Sequence, residues 1–210
     1  MIFKICGLKK KDSLLCCEKN NVDLFGIIFY EKSPRSISLT EAKELVNYSK
    51  DLKIKPVGVF VNESIFNLKN LLHNLKLKFI QLHGDEDQPY INSIKENFPI
   101  KIIKKISVRT YNDLKKINYY KNIDYLLFDY KPDQNELPGG NAKSFDWNLL
   151  KNQNIPFPWF ISGGINESNI KKIQKTVNPH GIDLSSGVEA SPGIKSNIKI
   201  NSIFKKFYDN

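Results

Sequence analysis

Cysteine is scarce in this chain: Cys6, Cys16 and Cys17 are the only three, and two of them are adjacent. That spacing builds neither a disulfide framework nor a zinc site, and it fits a reducing, cytoplasmic setting. Histidine is equally scarce. His73, His83 and His180 stand far apart without ligand spacing, so no metal is expected. Arginine is rarer still, with only Arg35 and Arg109 against a background of lysine. No apolar run is long enough to cross a bilayer, so no membrane association is expected. Strand-like sequence starts at Ile2 and a lysine follows at Lys4, a pattern that no signal peptide fits. A glycine fingerprint after the first strand is also lacking, which argues against a dinucleotide-binding sheet.

What is present is ample material for a core. Hydrophobic residues make up 40% of 210 residues, enough for one large domain or two small ones. Lys and Arg outnumber Asp and Glu by 32 to 22, a net charge of +10. The lysines are spread through every segment, and only Lys9-Lys10-Lys11 forms a run. Aromatic and basic residues do not alternate as a base-stacking groove requires, so no nucleic-acid partner is expected. The positive field suits an anionic small molecule.

Apolar strand-like runs recur along the chain. They are Ile2–Cys6, Leu24–Phe29, Pro56–Val61, Phe79–Leu82, Ile100–Ile106, Tyr125–Asp129, Trp159–Ile161 and Gly181–Leu184. Helical spacing separates them. Ser38 and Glu41 form a capping box ahead of Ala42, Leu45 and Val46, and Asn62 is expected to cap a helix carrying Ile65, Leu68, Leu72 and Leu75. A fifth helix is expected from Thr110 to Ile117, and Phe145-Asp146-Trp147 opens a short one. Eight strand–helix units without a composition break predict one α/β domain over residues 1–210, a single (β/α)8 barrel. The alternative, a doubly wound open sheet, leaves the equivalence of the first and last units unexplained.

Chemistry in such barrels collects at the carboxyl ends of the strands. Cys6 ends the first strand and is either a buried small hydrophobe or a reactive thiol. Asp129 ends the sixth, where a carboxyl group needs partners or a function. Together they would place a thiol and a carboxyl at one mouth, suited to proton transfer at two sites of one substrate. Arg35 follows the second strand at the same rim and is either a surface arginine or a fork for a carboxylate. Ser162-Gly163-Gly164 and Ser185-Ser186-Gly187 follow strands seven and eight, where small residues let backbone amides approach a phosphate.

Lys4-Ile5-Cys6-Gly7, Ser33-Pro34-Arg35, Val57 to Asn62 and Gln81-Leu82-His83-Gly84 form one set of motifs. Phe128-Asp129, Gly139-Gly140, Phe145-Asp146-Trp147, Ser162 to Ile165 and Asp183 to Gly193 form another. Together they resemble the phosphoribosylanthranilate isomerase family of tryptophan biosynthesis, from Met1 to the last helix. The resemblance implies a cofactor-independent Amadori rearrangement of a phosphorylated small molecule, by a monomer or homodimer. It implies Asp129 as general acid, Cys6 as general base, Arg35 on the anthranilate, and Gly164, Ser186 and Gly187 around the phosphate. A related synthase would need a lysine–glutamate set, and related epimerases metal-spaced histidines; neither stands here.

Two physical demands follow from those roles. A free thiol has a pKa of about 8.5, so a base at neutral pH needs a nearby cation or helix-end amides to lower it. Lys4, two residues away on the same strand face, is either that cation or a structural ion-pair partner. Asp129 must be shifted upward to keep its proton. Asn141-Ala142 departs from the family's usual small hydroxylated residue and glycine, and a positive φ at 142 would strain an alanine.

Overall fold

The computed structural model describes residues 1–209. Eight parallel strands close into a barrel in sequence order: β1 (Ile2–Cys6), β2 (Leu24–Ile28), β3 (Lys55–Phe60), β4 (Phe79–Leu82), β5 (Lys101–Val108), β6 (Tyr125–Tyr130), β7 (Trp159–Ile161) and β8 (Gly181–Leu184). β8 pairs with β1 through Lys4 opposite Asp183, which closes the ring. Around it lie α1 (Lys11–Lys19), α2 (Leu39–Tyr48), α3 (Ile65–Leu75), α4 (Gln88–Asn97), α5 (Ile170–Thr176) and α6 (Asn197–Tyr208). No described helix is long and apolar enough to cross a membrane.

The two-residue alternation of the strands divides the core in two. Leu24, Val57, Ile103, Leu127 and Phe160 pack against one another as a buried cluster fed by all but three of the strands. The neighbouring strand positions face the helices: Phe3 meets Phe204 and Phe207 of α6 edge-on, both centroids at 4.9 Å. This leaves the carboxyl-end layer of the barrel for polar side chains.

Three local expectations needed correction. Asn62 does not cap α3; Ser64 does, its hydroxyl accepting from the Asn67 amide at 3.1 Å. Asn62 instead takes a left-handed φ of 50°, which its short polar side chain tolerates, and accepts from the Asp85 amide at 2.7 Å. The helix expected after β5 is a 3₁₀ helix, Tyr111–Asn118, and the one after β6 is a 3₁₀ turn, Trp147–Leu150. The helical segments are eight and four residues long and bury two apolar side chains each, Leu114 with Ile117 and Trp147 with Leu150, too narrow a face to extend them into longer α-helices. The capping box at Ser38 forms as its spacing predicts, with Ser38 N donating to Glu41 at 2.7 Å and the Glu41 amide donating to Ser38 at 3.3 Å.

After β8 the chain makes a two-stranded antiparallel hairpin before α6, β9 (Glu189–Ser191) and β10 (Ile194–Lys195). Its turn glycine, Gly193 (φ 85°), sits where a Cβ would come within 2.4 Å of the Pro34 carbonyl. The hairpin is therefore pressed directly onto the loop that carries Arg35.

Candidate active site

Cys6 ends β1 beside Gly26 of β2, and both residues share a register position. A Cβ at 26 would stand 2.7 Å from the Cys6 sulfur, so the glycine makes the room the thiol occupies. Two residues back on the same strand, Lys4 is fully buried and donates to both oxygens of Asp183 at 3.0 Å. Burial works against its charge, but Asp183 and Cys6 outweigh burial and hold the Lys4 pKa above its usual value. Both readings of Lys4 therefore apply at once: it is a buried ion pair and a cation beside the thiol. For Cys6 itself burial is the largest influence and pushes the thiol up, against the opposing pull of Lys4 and Lys195.

Asp129 ends β6, and its Oδ1 accepts from the Tyr130 amide at 2.8 Å. Its Oδ2 lies 3.5 Å from His83 Nε2. Burial raises the Asp129 pKa to about 6, with Asp183 adding to it and Lys105, the Tyr130 amide and Lys4 opposing. His83 stays neutral, because burial and then the charges of Lys105, Lys4 and Lys104 push its pKa well down. Gln81 lies 2.8 Å from His83 Nδ1 through its amide nitrogen, and its buried Oε1 has no hydrogen-bond partner. A donating Gln81 amide puts the ring proton on Nε2, 3.5 Å from Asp129, and the ring also hydrogen-bonds the Pro138 backbone.

One cavity is lined by Cys6, Asp129, Arg35, His83 and the loop Leu137 to Gly140. A second shares Asp129, Gly140 and Ser185 with it and continues to Gly163, Gly164 and Ser186. Gly187 lines neither. A Cβ there would fall 1.9 Å from the Ile165 carbonyl, so this glycine lets the turns after β7 and β8 touch. The combination is a site with a thiol and a carboxyl group at one end and a small-residue pocket at the other.

The sequence matches the N-(5'-phosphoribosyl)anthranilate (PRA) isomerase family model over residues 3–206. The chain belongs to this family. It is 40% identical to the N-(5'-phosphoribosyl)anthranilate isomerase of Rhizobium johnstonii over 96% of this chain and 91% of that protein. The solved phosphoribosyl anthranilate isomerase of Thermotoga maritima superimposes with a TM-score of 0.87 at 31% identity, covering 99% of this chain and 98% of that one. A further isomerase structure, at 30% identity and TM-score 0.84 over 99% and 98% of the two chains, is a complex with reduced 1-(o-carboxyphenylamino)-1-deoxyribulose 5-phosphate.

Within this isomerase, Arg35 is not a surface residue. It is 4% exposed and bound by both carboxylate oxygens of Glu189, Nε to Oε1 and Nη2 to Oε2 at 2.8 Å each. Cys6, Asp129 and Arg35 line one cavity, and Asp129, Gly164 and Ser186 line the one adjoining it. Sequence reasoning missed Gln81, His83, Asp183, Glu189 and Lys195. Gln81, His83, Asp183 and Glu189 stood inside the motifs that carry the resemblance but received no role there, and Lys195 lies just beyond them.

The strained alanine is also present: Ala142 has a φ of 56°. Ala142→Gly is expected to stabilise the protein by up to about 1 kcal/mol, since glycine takes that conformation without steric cost. A thermal melt of the variant reads the change, and a fall in Tm would contradict it.

Proposed function

We propose that the chain converts N-(5-phosphoribosyl)anthranilate into 1-(2-carboxyphenylamino)-1-deoxyribulose 5-phosphate, the Amadori step of tryptophan biosynthesis, with Cys6 as base and Asp129 as acid. What carries the reading is the opening of the thiol and the carboxyl group onto one cavity, next to the glycine-rich pocket after β7 and β8. Asp129 protonates the ring oxygen as the bond from that oxygen to C1 breaks, which gives an open-chain Schiff base. Cys6 removes the C2 proton and leaves an enolamine. The enolamine gains a proton at C1 and loses one from its C2 hydroxyl, so the protein ends with the protons it began with. Arg35 holds the anthranilate group. Gly164 and Ser186 hold the phosphate, and Gly187 brings their two turns together. No step draws on a cofactor.

The two pKa shifts set the pH response. Asp129 is raised to about 6 and Cys6 lies above the ordinary thiol range, so Asp129 ionises first in the free protein. The reactive arrangement, a protonated Asp129 with an ionised Cys6, is a minor tautomer of the singly protonated pair. Below about pH 6 both groups hold protons and the base is lost; above the thiol pKa both are ionised and the acid is lost. kcat/KM is therefore expected to rise through about pH 6 and to fall at alkaline pH. The assay is the loss of substrate fluorescence on adding protein without metal or cofactor. No loss at any pH would end this reading, and a profile flat between pH 5 and 7 would remove Asp129 from it, with the window taken as about one unit either side of its pKa.

A further inference from the structure

The guanidinium of Arg35 carries five N–H donors in a flat fork with two usable edges. Glu189 fills one of them, the edge formed by Nε and Nη2. On the other edge, Nη2 makes one long bond of 3.3 Å to the Gly140 carbonyl, and Nη1 has no hydrogen bond among the described residues. A Cβ at position 140 would lie 2.3 Å from Nη1, so glycine there keeps that edge clear. A Cβ at Gly7 would come within 3.0 Å of the arginine stem on its other side.

Glu189 is itself seated. Lys195 of the hairpin, its side chain 2% exposed, donates to Glu189 Oε1 at 2.7 Å and to the Ser185 carbonyl at 3.1 Å. The Ser185 hydroxyl donates in turn to the Cys6 carbonyl at 3.2 Å. Burial favours the neutral form of Glu189, but Arg35 and Lys195 outweigh it and hold the carboxylate ionised. Two buried cations thus share one buried anion. The remaining positive charge is costly to hide from water unless a further anion completes the group.

We propose that Glu189, seated by Lys195, is the positioning residue that sets selectivity for a carboxylate on the substrate's aromatic ring, by fixing the Arg35 edge formed by Nη1 and Nη2 toward the cavity. The carboxylate meets that edge with two parallel hydrogen bonds, displaces the long contact to Gly140 and neutralises the group. This rests on the substrate reading above and not on the roles of Cys6 and Asp129. Because the carboxylate is gripped before and during reaction alike, its loss acts on KM more than on kcat.

The test compares binding of two non-reacting ligands by calorimetry: reduced 1-(2-carboxyphenylamino)-1-deoxyribulose 5-phosphate and the same compound without its carboxylate. The wild type is expected to favour the first by roughly 100-fold, the scale of two charge-assisted hydrogen bonds. Glu189→Gln is expected to cut that preference about tenfold or more while changing binding of the second compound less than about threefold. Its KM for substrate should rise by a larger factor than its kcat falls. Glu189→Asp keeps the charge and shortens the reach, and it should lose the preference in the same way if Glu189→Gln does not fold. Equal weakening of both ligands, or an unchanged preference, overturns the proposal and leaves Glu189 a structural ion-pair partner. Failure of the carboxylate-bearing ligand to bind the wild type would overturn the substrate reading as well. Wild-type turnover in Cys6→Ala would overturn the acid–base assignment alone and leave the ligand preference, and with it this proposal, standing.

Discussion

Cys6→Ala and Asp129→Asn are each expected to lower kcat by about 10²–10⁴-fold, the usual contribution of one general acid or base. Neither change should unfold the protein. Alanine removes one sulfur from the space that Gly26 leaves open for it, and asparagine keeps the shape that accepts the Tyr130 amide. The two losses should not multiply in the double variant, since removal of either group already stops the paired proton transfer. Unchanged circular dichroism and a melting temperature near wild type would tie the loss to chemistry. Wild-type turnover in either single variant would remove that residue from the reaction.

Lys4→Met is the substitution expected to cost the most stability. Lys4 and Asp183 are 0% and 4% exposed, and they face each other across the seam between β1 and β8. Removing the lysine strands a carboxylate in the barrel interior, with a loss of about 3–5 kcal/mol typical of a broken buried pair. Urea unfolding should show the loss as a lower midpoint with little change in slope. Asp183→Asn added to Lys4→Met should recover part of that stability, because the stranded charge goes with it. Activity should not recover, because the thiol has lost the nearest cation that opposes its burial. A Lys4→Met protein that unfolds at the wild-type urea concentration would refute the account of this pair.

The corrections in the chain share a cause. Asn62 looked like a helix cap because asparagine is a good one, yet the next two residues offered another capper in Ser64. Which residue caps depended on Glu86, which accepts from the Asn62 amide at 2.9 Å from 24 residues away. The connections after β5 and β6 each open on a helix-starting signal, Thr110 with Asp113 in one and Asp146 in the other. Those signals are present and working, with Asp146 accepting from the Asn148 amide at 3.0 Å. They start a turn but do not lengthen it; length comes from an apolar face buried against the barrel.

Period and position in the sequence were sufficient for the eight strands, their parallel order and the mouth at which Cys6, Asp129 and Arg35 meet. A strand's side chains alternate and its end is marked by glycine or a polar turn, so both can be read locally. The direction in which each charge is pushed could not be read locally. Lys4 lies two residues from Cys6, but its partner Asp183 is 179 residues away, and burial by the whole barrel decides that the thiol rises. Arg35 stood as one arginine among lysines until Glu189, 154 residues on, took one edge of its fork and left the other free. Electrostatic energies depend on distance and on exclusion of water, and both are set only when the barrel closes.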